Sequence, residues 1–192
     1  MPSPAIDAAG TPGDDHRYAV FLRGVNVGGV TVRMVDLREL LAGLPVSRVA
    51  TVLASGNVTC SSALGAEELK DRVETALRER FGYLAWVIVV GLADLIAIAG
   101  SVPRPPEATP EAVHTYVTLF TGPGELRAFL DDAHGLPEQP TVLAGGAAIA
   151  WFSPKGRSTD VPVARLLARA RYAATTTTRN INTVDKVLRL LA

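Results

Sequence analysis

The 192-residue chain has one cysteine, three histidines and no surplus of either charge, with Lys+Arg and Asp+Glu at 19 each. Each shortage removes a class of function. Cys60 alone cannot close an internal disulfide, and no Cys/His spacing of the metal-binding kind occurs, so neither a disulfide scaffold nor a metal centre is expected. A lone thiol suits a reducing compartment, and the expected location is the cytoplasm. The balanced charge, with a pI near 6.8, argues against nucleic acid as a partner, because a non-specific binder needs a basic excess to release counterions. Apolar runs of membrane-spanning length are missing, so no membrane partner is expected and the protein reads as soluble. Residues 1–16, "MPSPAIDAAGTPGDDH", lack the basic and apolar regions of a signal peptide and read as a flexible tail. His16, His114 and His134 fall in unrelated places, which disfavours a catalytic triad. No carboxylate pair stands out as acid and base. Cys60 alternates with Val58 on an expected strand and reads as a small buried hydrophobe rather than a nucleophile. No cofactor motif is complete.

What is present is a core-forming composition, 48% hydrophobic and 20% charged, which predicts a packed fold. Arg17 to Leu22 alternates like a strand, and Met34, Leu37, Leu41 and Leu44 lie on one helical stripe ended by Pro45. Strands over Val49 to Ala54 and Val58 to Ser61 are joined through Ser55-Gly56-Asn57, a hairpin signal. Leu69, Val73, Leu77 and Phe81 predict a second helix, with Gly82 as its left-handed cap. "AWVIVV" is a fourth strand and "LADLIAIAG" a short helix. Residues 17–100 thus follow β-α-β-β-α-β, the ferredoxin-like order. Four prolines within "SVPRPPEATP" mark 101–113 as a linker.

Residues 114–192 repeat the order without evident sequence identity. "TYVTLF" is a strand, and "GELRAFLDDAHG" a helix with Leu126, Phe129 and Leu130 inward. "TVLAG" and "AAIAWF" form a hairpin turning at Gly145-Gly146. "VPVARLLARA" is a helix with Pro162 in its first turn, and "AATTTT" a last strand. "NTVDKVLRLLA" is a helix expected to be capped by Asn182, with Asp185 at N3. The expected fold class is α+β, two packed subdomains each approximately βαββαβ, plus a C-terminal helix. An RNA-recognition reading of this order would need exposed aromatics on the first and third strands. Tyr18 and Phe21 sit on opposite faces, and "NVTCSS" has none.

Four stretches could carry chemistry. "RGVNVGG" follows the first strand and nearly matches a P-loop, but Val30 stands where the phosphate-binding lysine is required, and the helix starts late, near Met34. The glycine spacing is also wrong for a dinucleotide fingerprint. Arg23, Asn26, Gly28, Gly29 and Arg33 nevertheless put charge around backbone amides that could hold an anion. The alternative is a plain glycine-rich connection with Asn26 bonding its own backbone. In "SGN", Ser55 and Asn57 either serve a turn or sit at one end of the sheet beside the first loop. "TTTTRNINTVDK" offers Arg179 and Asn180 ahead of a helix N-terminus, with Lys186 as a further cation. "SPKGRS" offers Lys155, Arg157 and Ser158, which are either solvated or part of the site.

Taken together, "YAVFLRGVNVGG", "LRELLAGL", "VLASGNV", "GRS" and "TTRNINTVDKVLRL" resemble, in order and spacing, the DUF1697 family of uncharacterised bacterial proteins over about residues 17–192. The resemblance implies an α+β fold of two packed subdomains and no established activity. Two departures weaken the shared basic-aromatic character: Val30 and Thr31 follow the glycine pair where a lysine is common, and Ile181 replaces a tryptophan. The leading expectation is a site for an anionic or phosphorylated small molecule or nucleotide, formed by Arg23, Asn26, Gly28, Gly29, Arg33, Ser55, Asn57, Arg157, Arg179 and Asn180. One alternative is a non-catalytic structural or protein-interaction module, in which these motifs serve turns and subdomain packing. Another is a transferase-like enzyme acting on a nucleotide-like substrate, for which no general base is visible.

Overall fold

The computed structural model describes residues 15–23, 32–53, 55–82, 86–105 and 112–192. The first half runs β1 (His16–Arg23), α1 (Met34–Ala42), β2 (Ser47–Val52), β3 (Asn57–Ser62), α2 (Ala66–Phe81), β4 (Trp86–Gly91) and α3 (Leu92–Ser101). The second runs β5 (Val113–Phe120), α4 (Pro123–Ala133), β6 (Thr141–Val142), β7 (Ala148–Pro154), α5 (Pro162–Leu167), α6 (Ala170–Ala173), β8 (Thr176–Asn180) and α7 (Ile181–Leu191). Each half builds a four-stranded sheet, in the orders β2-β3-β1-β4 and β6-β7-β5-β8. All the strand pairings are antiparallel. Both orders are the same permutation of their strands, and both are ferredoxin-like. This is the expected α+β fold of two packed subdomains.

Strand alternation distributes the chain over three apolar layers. Along β1, Tyr18, Val20 and Leu22 face α1 and α2 in one outer cluster, while Ala19 and Phe21 face inward. Along β5, Val117 and Leu119 face inward, while Phe120 joins Phe129, Trp151 and Tyr172 in the other outer cluster. The inner cluster is shared between the halves. Leu95 and Ile98 of α3 and Val184, Val187 and Leu191 of α7 fill it, so these two helices lie between the sheets. α7 packs on strands of both sheets. Where α3 meets the second half, Gly145 has φ +81, and a Cβ there would lie 2.6 Å from both Ala97 Cβ and the Asp94 carbonyl oxygen. Glycine is needed at this point for conformation and for room alike.

Several local expectations need correction. The helix expected over 161–170 is two pieces, α5 and α6, separated by Arg169 in an extended conformation (φ −61, ψ 142). The last strand reaches Asn180, beyond the threonine run. Helix α7 then starts two residues earlier than expected, and Asn180, not Asn182, is its cap. The Asn180 side chain accepts a hydrogen bond from the Asn182 amide at 2.9 Å. Asp185 consequently lies past the first turn, which holds no acid, so the capping box does not form. Leu44 falls after α1, in the turn that follows it, yet still packs against the outer cluster.

Candidate functional site

Arg179 lies on β8, paired across from Val117. Alternation therefore turns its side chain, with that of Thr177, toward the first half. Thr178 points the other way, where its hydroxyl meets that of Thr118 at 2.8 Å, and Thr118 accepts from the Trp151 indole at 2.9 Å. The guanidinium of Arg179 reaches across the subdomain boundary. Its Nε donates to Asn57 Oδ1 at 2.5 Å, and Nη2 donates to the carbonyl oxygens of Leu22 and Ser55 at 2.8 and 3.2 Å. On its own strand, Nη1 donates to Thr177 Oγ1 and the Thr178 carbonyl at 2.7 and 2.9 Å. Five N–H groups thus meet five neutral acceptors, the full donor capacity of a guanidinium. The Phe21 ring lies below, 5.8 Å from Cζ to its centroid.

Asn57 is fully buried and equally saturated. Its Nδ2 donates to the Val52 carbonyl and to Ser55 Oγ, both at 2.9 Å. A buried asparagine whose amide bridges the hairpin while its oxygen receives a cation from the other half is a structural keystone. Ser55 and Gly56 turn the hairpin, with Gly56 at φ 70. The Gly56 carbonyl accepts from the Leu22 amide at 2.8 Å.

Arg23, at the end of β1, is half-buried. Its Nη1 donates to the Thr176 carbonyl at 2.8 Å, and Cζ lies 5.9 Å from the Trp86 ring centroid, a cation–π distance. Among the described residues it makes no other hydrogen bond. Neither Arg23 nor Arg179 forms an ion pair with any described carboxylate. Burial lowers the pKa of Arg23. Burial, reinforced by the positive charge of Arg23, pushes Arg179 down to about 10, which leaves both charged at neutral pH. Two partly desolvated cations thus stand near each other with no carboxylate among the described residues to balance them.

The remaining expected site residues do not join this cluster through any bond between described residues. Arg33, largely exposed, makes a two-pronged ion pair with Asp36 at 2.7 and 2.8 Å. Arg157, also exposed, pairs with Asp160 at 3.3 Å. Asn180 is occupied by capping, and Lys186 is exposed on α7. Asn26, Gly28 and Gly29 lie outside the described residues. The sequence reading overlooked Thr176, Thr177, Trp86 and the carbonyl of Leu22. The threonine run was the available signal, because its members now have distinct tasks. Thr175 and Thr176 bond back to Arg171 and Tyr172 carbonyls, Thr177 holds Arg179, and Thr178 anchors the Trp151 network.

The architecture and junction define a class: a ferredoxin-like α+β protein of two similar halves clasped by a half-buried arginine. The chain belongs to the family described as "Protein of unknown function (DUF1697)", whose model matches residues 16–149. The TTRN segment lies beyond that match. Among solved structures, the chain resembles the conserved bacterial protein SP0830 from Streptococcus pneumoniae, with a TM-score of 0.75 and 22% identity. The likeness covers 93% of this chain and 99% of that one, and at this identity it speaks for the fold alone. No curated protein matches the chain. Among the described residues, no helix is long and apolar enough to cross a membrane, and no group of His, Cys, Asp and Glu could hold a metal ion.

Proposed function

We propose that the chain is a binding protein for a small anion, a phosphorylated metabolite or nucleotide, which seats against Arg23 beside the loop that follows β1. The observation that carries this reading is the pair of desolvated guanidiniums with no described carboxylate partner. A buried charge without a counterion is costly, and an anionic ligand would offset that cost and the repulsion between the two arginines. The roles divide by donor capacity. Arg179 is saturated and contributes charge from behind, whereas Arg23 uses one N–H group among the described residues and would give others to the ligand, because a guanidinium fork matches a phosphate.

A thermal-shift and calorimetric screen of nucleotides and phosphorylated metabolites tests this, since a ligand specific for the native state raises apparent stability. The expected result is a hit whose stabilisation is lost in Arg23→Gln while the unliganded melting temperature hardly moves. A second reading, a purely structural junction, is favoured by the saturation of Arg179 and Asn57. It predicts no hit, or one indifferent to Arg23→Gln. A transferase reading needs a general base, and among the described residues the junction supplies only amides, hydroxyls and arginines that stay charged at neutral pH.

A further inference from the structure

A second polar region lies on the inner face of the first sheet, between β2, β3 and the end of α7. Thr59 and Ser61 are 2% and 3% exposed, and neither hydroxyl makes a hydrogen bond with any described residue. Buried hydroxyls are nearly always partnered, so an unmet pair calls for something that occupies the space. Both line a cavity of about 140 Å³, together with Arg17, Arg48 and Leu190. At about 30 Å³ per water molecule, that is room for roughly four or five waters, or for one small tetrahedral or planar anion.

The backbone is shaped to bring Arg48 there. Ser47 pairs with Ser61 and Ala50 with Thr59, so β2 carries one residue more than β3 over this span. Arg48 takes a left-handed φ of 53 at this bulge. Its neighbour Val49 packs into the outer cluster beside α1 and α2, while Arg48 lines the cavity on the inner face. Arg48 makes no hydrogen bond or ion pair with any described residue. Arg17 is held in place by donating to the Leu191 and Ala192 oxygens, where a cation suits the carbonyl end of a helix. No Asp or Glu side chain lines the cavity; Ala192, whose terminal oxygen Arg17 already holds, forms part of its wall, and the exposed Leu190 supplies an apolar flank.

We infer that this cavity is a second binding site, independent of the Arg23 junction, and that it takes a small oxyanion of the phosphate or carboxylate type. The anion accepts from the Thr59 and Ser61 hydroxyls and from the Arg48 guanidinium, with Arg17 adding charge from its anchored position. The test is an amide-resolved NMR titration of the whole chain with inorganic phosphate in one arm and acetate in the other. The expected result is a saturable shift of the Thr59, Ser61 and Arg48 amides with at least one probe. That shift should persist in Arg23→Gln and weaken at least tenfold in affinity in Arg48→Gln. Thr59→Val should abolish the response while raising the melting temperature of the anion-free protein, because the unmet hydroxyl disappears. Absence of a response at these amides with both probes would mean that only water fills the space and would overturn the inference. So would a response unchanged in Arg48→Gln, or a Thr59→Val protein that melts lower in anion-free buffer, since the hydroxyl would then have a structural partner. Loss of the response in Arg23→Gln would also overturn it, by assigning the effect to the junction.

Discussion

Arg23 and Arg179 occupy neighbouring places, are both desolvated, and lack a carboxylate partner among the described residues, yet they differ in how their donors are used. Arg179 gives every N–H to the protein, three of the five across the boundary between halves. Arg23 gives one. The same residue type at the same junction is therefore fully bonded in one case and, among the described residues, singly bonded in the other. Charge alone does not distinguish the two arginines; donor occupancy among the described residues does.

Substitutions can break or sharpen that contrast. The largest effect is expected for Arg179→Ala, which strands Asn57 Oδ1 and several carbonyls in the interior. At about 1.5–3 kcal/mol for each charged hydrogen bond, discounted for relaxation and relief of the buried charge, the loss should be about 3 kcal/mol or more in denaturant unfolding. Arg179→Lys should recover little of it, because an ammonium cannot reach a forked set of acceptors. Gly145→Ala, at the other contact between halves, should cost about 2–3 kcal/mol through positive-φ strain and the clash with α3. Its lesion is steric, so no anion should repair it.

Arg23→Gln should cost less than about 1 kcal/mol, one hydrogen bond with a partly solvated donor. A cost as large as that of Arg179→Ala would erase the contrast. The smallest expectation concerns titration well away from the junction. Burial pushes Cys60 up to about 11, and burial with the Asp132 hydrogen bond pushes Tyr172 up to about 12. Both acids hold their protons more tightly when folded than when unfolded. Their contribution is constant below their ordinary pKa values and is lost as pH climbs from about 9 through 11 to 12. Melting temperature should therefore fall over that window, and Cys60 should resist thiol reagents at pH 8 in the native state.

Much of the fold was legible because periodicity and turn chemistry are local. The stripe Leu69, Val73, Leu77 with Gly82 marked α2 to its last residue, and Gly82 takes the left-handed φ of 69 expected of it. The short β6, with only Thr141 and Val142, and the break at Arg169 were less legible, because packing against neighbours decides such ends. The Asn180 cap was missed for a related reason. Asn182 satisfies the same composition rule, and only the point at which β8 stops pairing with β5 decides between them. At the candidate site, Arg23, Ser55, Asn57 and Arg179 were singled out from sequence and are brought together. Arg33 and Arg157 were singled out on equal grounds, but exposed ion pairs with Asp36 and Asp160 occupy them. Spacings of three residues to those acids were visible, but whether such pairs form depends on local geometry.

The sequence by itself determined the element order, its repetition, the inward faces of the strands and helices, and the residue types available for a polar site. Those properties follow from side-chain period and backbone preference within a few residues. Only the tertiary structure decided that α3 and α7 share one core between two sheets. It also decided that Arg179 uses all its donors, three of them on acceptors more than a hundred residues away, and that Arg23 beside it makes a single hydrogen bond among the described residues. Hydrogen bonding is a matter of ångströms between distant segments, and no local pattern encodes which of two adjacent arginines will be satisfied.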